Sequence, residues 1–199
     1  VGIICNDAGA SNLILWWLKN NNKYKVLYCL DGPAKKIFQV GTSNNDPKNL
    51  KRICYDCDVV ITGTSFQSRL EHKARQESKK LRIPSIAILD HWVNYKKRFS
   101  RNGVEVYPDI IWVFDKFAED KAKKLFKEIK IERHENYYLK NCVNEIKIIE
   151  KNVNRDNNVL YVLEPIRRRT FKSKQPYEFQ VLDYFFDNLN KLKLENPFI

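Results

Sequence analysis

Short runs of consecutive apolar residues alternate along the chain with longer stretches whose apolar positions recur at helical spacing. Val1-Gly-Ile-Ile-Cys5 is such a run, followed by the polar turn Asn6-Asp-Ala-Gly-Ala-Ser11 and the periodic stretch 13–18, which predicts strand, turn and helix. Lys25–Leu30 repeats the strand pattern, ends in Asp31-Gly-Pro33 and leads into a short helix over 34–38; residues 41–47 read as a loop. A third strand over 58–64 precedes a charged helix from Phe66 to Leu81, which Pro84 stops. Ser85–Asp90 is the fourth strand, 91–109 a polar and aromatic loop, Ile110–Asp115 the fifth strand and Lys116–Glu128 a helix. A weaker strand over 129–135 and a helix over 137–151, directed away from the sheet, complete the pattern.

Strands that are apolar at successive positions and separated by helices bury both of their faces, so residues 1–151 are expected to form an α/β domain with a parallel sheet and helices on both faces. Asn152–Asn158 reads as a linker. Beyond it lie a strand over 159–163 and an aromatic-rich helix over 177–194, the opening of a second, incomplete domain, because one strand and one helix close no core.

Composition narrows the picture. The chain has 199 residues, 43% of them hydrophobic, which makes it globular, and it carries no run long enough to span a membrane, which points to a cytoplasmic protein. The five Cys include one close pair, Cys54 and Cys57; no second pair follows, and His72, His91 and His134 lack ligand spacing, so no metal site is expected. A net charge of +12 favours polyanions, phosphorylated small molecules or an acidic membrane face without choosing among them, and Arg167-Arg168-Arg169 with Lys172 and Lys174 is its densest cluster. The aromatics lie in strands and helices instead of alternating with Arg on one surface, which disfavours nucleic acid.

In an open parallel sheet, ligands gather beyond the carboxyl ends of the strands. Three such ends carry small or polar residues here. Asp7, Gly9, Ala10 and Ser11 follow the first strand; Gly9 permits a tight backbone and the helix start an anion, although Asp7 or Ser11 as a plain cap explains the same residues. Gly63, Thr64 and Ser65 follow the third, a turn whose N–H groups suit a phosphate or sugar hydroxyl. Asp90, His91 and Trp92 follow the fourth and combine a carboxylate, an imidazole and a stacking surface, the groups of general acid–base work; core packing of Trp92 and capping by Asp90 are the alternative. Tyr95, Lys96, Lys97, Arg98 and Phe99 extend that loop with cations and rings. Asp115 is best read as a helix cap, whereas Glu164 and Arg167, past the linker, would face the first domain across a cleft.

Asp7-Ala-Gly-Ala, Gly63-Thr64-Ser65, Leu89-Asp-His-Trp-Val-Asn-Tyr95 with Arg98-Phe99, Pro108-Asp-Ile-Ile-Trp-Val113 with Asp115, and Leu160-Tyr-Val-Leu-Glu-Pro165 together resemble bacterial polysaccharide-biosynthesis proteins of the GT-B glycosyltransferase and nucleotide-sugar epimerase superfamily. The resemblance implies two Rossmann-like domains facing a cleft, with this chain holding the acceptor-side domain and the start of the donor-side one. It implies sugar transfer, without a metal or other cofactor, from a nucleotide-sugar donor to a glycan or lipid-linked acceptor of a capsule or lipopolysaccharide, at or near the acidic inner membrane surface. Asp90 or His91 would then be the base, with Asp7 beside them. Gly9, Ala10, Ser11 and the 63–65 turn would hold sugar or phosphate oxygens, Trp92, Tyr95, Arg98 and Glu164 the substrate, and Arg167 the leaving-group charge. A 2-epimerase or hydrolase of the same fold and a non-catalytic basic domain are the alternatives.

Overall fold

The computed structural model describes residues 1–39, 49–148, 161–162 and 175–192. They fall into two compact units, 1–148 and 149–199. In the first unit six parallel strands stand in the order β2-β1-β3-β4-β7-β8, namely Leu27–Leu30, Gly2–Cys5, Val60–Thr62, Ser85–Ile88, Ile110–Val113 and Lys130–Arg133. The expected parallel sheet and its strand positions are therefore correct.

Period-two alternation sorts the side chains of the strands. Ile3, Cys5, Ile61, Ile86, Ile88 and Trp112 pack on one face with α1 (Ala8–Asn20) and α2 (Gly32–Phe38), and α7 (Tyr137–Ile148) lies against α1. Ile4 and Val60 point the other way, toward α3 (Leu50–Tyr55) and α4 (Leu70–Leu81), and Ala87, Ile111 and Val113 meet α5 (Tyr95–Arg98) and α6 (Lys116–Leu125). Both faces of the sheet are thus covered, the arrangement of a Rossmann-like α/β fold. The edge strand β8 is half-buried at its middle residues and exposed at its ends, which is why its apolar pattern is weak.

Four local expectations change. Helix α7 packs against α1 instead of leaving the sheet. Helix α3 was not anticipated, because six residues with Ile53 and Cys54 as the buried ones show no period. Helix α4 begins at Leu70, not Phe66, since the side chains of Ser65 and Ser68 accept from the N–H groups of Gln67 and Leu70 and hold the preceding segment as turns. The 91–109 segment contains α5 and a hairpin, β5 (Ser100–Arg101) with β6 (Val104–Glu105), closed by Asn102 and Gly103, both at positive φ.

In the second unit, α8 (Tyr177–Asp187) is followed by a 3-10 turn over Leu189–Leu192, and the rings of Tyr161 and Phe185 lie 4.5 Å apart. The 41–47 loop, the 152–158 linker, most of the 159–163 strand, the Arg167–Arg169 cluster, Glu164 and Arg167 lie outside the described residues. No described helix is long and apolar enough to cross a membrane.

Candidate functional site at the carboxyl edge of the sheet

Strand order reverses between β1 and β3, since β2 lies outside β1 and the later strands continue from β3. In open sheets of this kind ligands gather at such a switch point, beyond the carboxyl ends of the two strands. The segments 6–7 and 63–65 flank it, and β4 delivers Asp90 beside them.

Asp7 caps α1, its Oδ1 accepting from Ala10 N at 2.9 Å. Its Oδ2 is buried with no hydrogen-bond partner. Burial first, and then the neighbouring Asp90 carboxylate, push the Asp7 carboxyl above its usual range, so this acid retains its proton more readily than an ordinary aspartate. Asp90 forms a nearly buried ion pair with Arg98, Oδ1 to Nη1 at 3.1 Å, and packs on the bare Cα of Gly9. Gly63 makes an equivalent allowance: a Cβ there would meet Glu71 Oε1 at 2.5 Å and Asp7 Oδ2 at 3.1 Å.

Glu71 lies beneath this cluster at 1% exposure. Its Oε1 accepts from Asn6 N at 2.9 Å and its Oε2 from Ser65 N at 2.6 Å, so one carboxylate ties the two loops of the switch point together. Burial and then Asp7 push its pKa up to about 7, against the lowering effect of those hydrogen bonds and of Arg75. Arg75, equally buried, donates to Thr62 Oγ1, Gly63 O and Val106 O, and burial lowers its pKa to about 10. Sequence reading missed Glu71 and Arg75 because they sit in a charged helix. Their signal is that Leu70, Ala74 and Leu81 are too few to bury a helix of that length, so the inward face has to include polar residues.

A cavity of about 390 Å³ opens at this edge, lined by Gly9, Asp90, His91, Trp92, Asp115 and Tyr138 among others. A wider one of about 790 Å³ shares Phe114, Asp115, Asn136 and Leu139 with it. His91 Nδ1 accepts from Trp92 N at 3.0 Å, which leaves Nε2 as the nitrogen available to a ligand. Trp92 is 52% exposed and not part of the core; its indole N–H donates to Asp115 Oδ2 at 2.8 Å while Asp115 Oδ1 caps α6. A cavity of about 1000 Å³ lies at the opposite edge. The carboxyl edge is the better candidate for chemistry because the convergent carboxylates and the imidazole are there.

The remaining expected ligand groups serve the fold. Ala10 and Ser11 are fully buried; Ala10 N is taken by Asp7, and the Ser11 hydroxyl donates to Asp7 O and lies 3.2 Å from Cys5 Sγ. Ser65 N goes to Glu71, Thr64 Oγ1 donates to Ile88 O and accepts from Arg98, and the 63–65 turn therefore offers a ligand less than its composition suggests. Tyr95 is 2% exposed and stacks on Phe126, its hydroxyl unpartnered and pushed up to about 12 by burial and Asp115. Arg98 acts as a clamp, bonded to Val93 O, Thr64 and Asp90.

One possible metal-binding trio exists among the described residues, Cys5, Asp7 and Glu71, whose ligand atoms lie within 4.8 Å of one another. It fits a metal poorly: burial holds the Cys5 thiol well above its usual range, and both Glu71 oxygens already accept N–H groups. Comparison of the chain with protein-family models, with curated proteins and with solved structures finds no match.

Proposed function

We propose that the carboxyl edge binds a sugar and activates one of its hydroxyls, and that the chain is the acceptor-side part of a GT-B-like glycosyltransferase using a nucleotide-sugar donor and a glycan or lipid-linked acceptor. The observation that carries this reading is the pairing of the neighbouring Asp7 and Asp90 carboxyls beyond the strand ends, with Asp90 and His91 lining a cavity of about 390 Å³, a volume suited to a small polar ligand. Asp90, oriented by Arg98, or His91 through Nε2 accepts the proton of the hydroxyl; Asp7 holds or returns one; Trp92 offers its indole face to the ring. On this reading the protein works in the cytoplasm, close to the acidic membrane surface where lipid-linked acceptors reside.

A second reading, a nucleotide-sugar 2-epimerase or hydrolase, is favoured by one feature, the neighbouring carboxyls Asp7 and Asp90, of which one is pushed toward its protonated form. Such a pair divides acid and base roles between two like groups. Calorimetric titration with nucleotides, nucleotide sugars and free sugars, repeated at high salt, tests the proposal. Salt-resistant binding of a sugar or nucleotide sugar that Asp90→Asn and His91→Ala each weaken about tenfold or more supports it. Binding unchanged by both substitutions, or confined to polyanions and abolished by salt, rejects it. Release of free nucleotide without an acceptor selects the second reading.

A further inference from the structure

A second large cavity lies at the amino edge of the sheet, away from the carboxylates and the imidazole of the carboxyl edge. It is a groove of about 1000 Å³ between the last turns of α4 and α6 and the starts of β4, β7 and β8. Its lining includes Ile83, Pro84, Tyr107, Phe126 and Ile129, an aliphatic and aromatic floor. Around that floor stand Lys79, Arg82, Lys96, Lys124 and Lys127, all exposed, and none of the five forms an ion pair among the described residues. Two carboxylates face them, Glu128 and Asp109, and Asp109 already accepts from Ser85 N and Oγ at 2.7 and 2.9 Å.

The ligand chemistry follows from this combination. Helices α4 and α6 end here, so their free carbonyls and the negative ends of their dipoles disfavour a small anion seated deep in the groove. Long cationic side chains reach past those carbonyls to the rim. A nucleic acid or a glycan calls for exposed rings to stack on; Tyr107 is half-buried and its hydroxyl donates to Glu105, and Phe126 is 5% exposed. Apolar side chains filling the floor, with carboxylates beside them meeting the cations, match an amphipathic acidic peptide. We propose that this groove docks an acidic, amphipathic segment of a partner protein. The site is independent of the carboxyl edge, so its test neither needs nor decides the sugar reading.

The experiment measures fluorescence anisotropy of a labelled synthetic helical peptide with Leu on one face and Glu elsewhere, titrated with the full chain. Two control peptides replace Glu by Lys or Leu by Ser. The groove variant is the triple Arg82→Gln, Lys124→Gln, Lys127→Gln; the comparison variant is the triple Lys36→Gln, Lys51→Gln, Lys73→Gln, which removes equal charge elsewhere. Circular dichroism confirms that both remain folded. The expected result is binding of the Leu/Glu peptide that the groove triple weakens about tenfold or more and the comparison triple by no more than about twofold, with neither control peptide binding. Equal loss in the two triples, undiminished binding of the Ser peptide, or equally strong competition by heparin overturns the proposal, the last in favour of a general polyanion surface.

Discussion

A methyl group at position 9 would sit 2.0 Å from Asp90 Oδ2, closer than real side-chain carbons approach a neighbour. Gly9→Ala therefore has to displace Asp90 and disturb its ion pair with Arg98, and the expected cost is about 2 kcal/mol, within the range for forcing an extra methyl into a packed site. In an Asp90→Ala background only the tight contact with the residue-90 Cβ at 3.3 Å remains, and removing a helix glycine, worth about 1 kcal/mol, is expected to offset most of its cost. A double-mutant cycle by denaturant unfolding checks this, and an equal cost in both backgrounds contradicts the packing argument. Glu71 supplies a pH signature at the same scale. Its folded pKa of about 7 lies above the ordinary 4.5, so the native state takes up a proton that the unfolded chain releases. Stability from this group is full below about 4.5 and declines as pH rises through about 7, by on the order of 3 kcal/mol. Asp7, pushed in the same direction, adds to the decline. Glu71→Gln is expected to lose most of the pH slope between about 5 and 7 and to be less stable than the parent chiefly at the acid end of that range, because the amide has one acceptor oxygen for the two backbone N–H groups that the two carboxyl oxygens meet. A variant that keeps the slope would assign it to other groups.

At the scale of elements, Asp115 joins α6 to the loop that carries Trp92. One oxygen caps the helix by accepting from Ala118 N at 2.7 Å and the other accepts from the indole N–H. Asp115→Ala is expected to cost about 1 kcal/mol through the lost cap. It also releases Trp92, so tryptophan emission from the native protein should shift to the red, and a stability loss without that shift would mean the indole is held by other contacts. The elements that the sequence shows most clearly are those with one dominant signal. β1, β4 and β7 stand out because strands buried on both faces are apolar at consecutive positions, and the Asp7 and Asp115 caps because an acidic residue stands at a strand-to-helix turn. The hairpin β5–β6 was missed although Asn102-Gly103 announces it, because its strands are only two residues long. The site was half visible. Residues placed by the strand ends, Asp7, Gly9, Asp90, His91 and Trp92, could be found by position along the chain. Glu71, Arg75 and the clamp role of Arg98 depend on which face of a helix or loop turns inward, and that is decided by packing between segments far apart in sequence.

At the scale of the whole molecule, every strand of the sheet and every member of the three buried clusters lies within residues 1–148. The cavity, the Asp90–Arg98 pair and the Glu71 tie belong to the same unit. A core of this extent is large enough to fold independently, since domains of about 100–150 residues commonly do. A chain truncated after Ile148 is accordingly expected to unfold in one cooperative transition, with a denaturant midpoint close to that of the main transition of the whole chain and the same pH slope from Glu71. Because denaturant sensitivity scales with the surface exposed on unfolding, the truncated chain should show a slope lower only in proportion to the residues removed. A truncated chain that fails to fold, or that unfolds without cooperativity, would mean that residues beyond 148 complete the core. If it folds and still binds a sugar while Asp90→Asn abolishes that binding, ligand recognition resides wholly in the first unit.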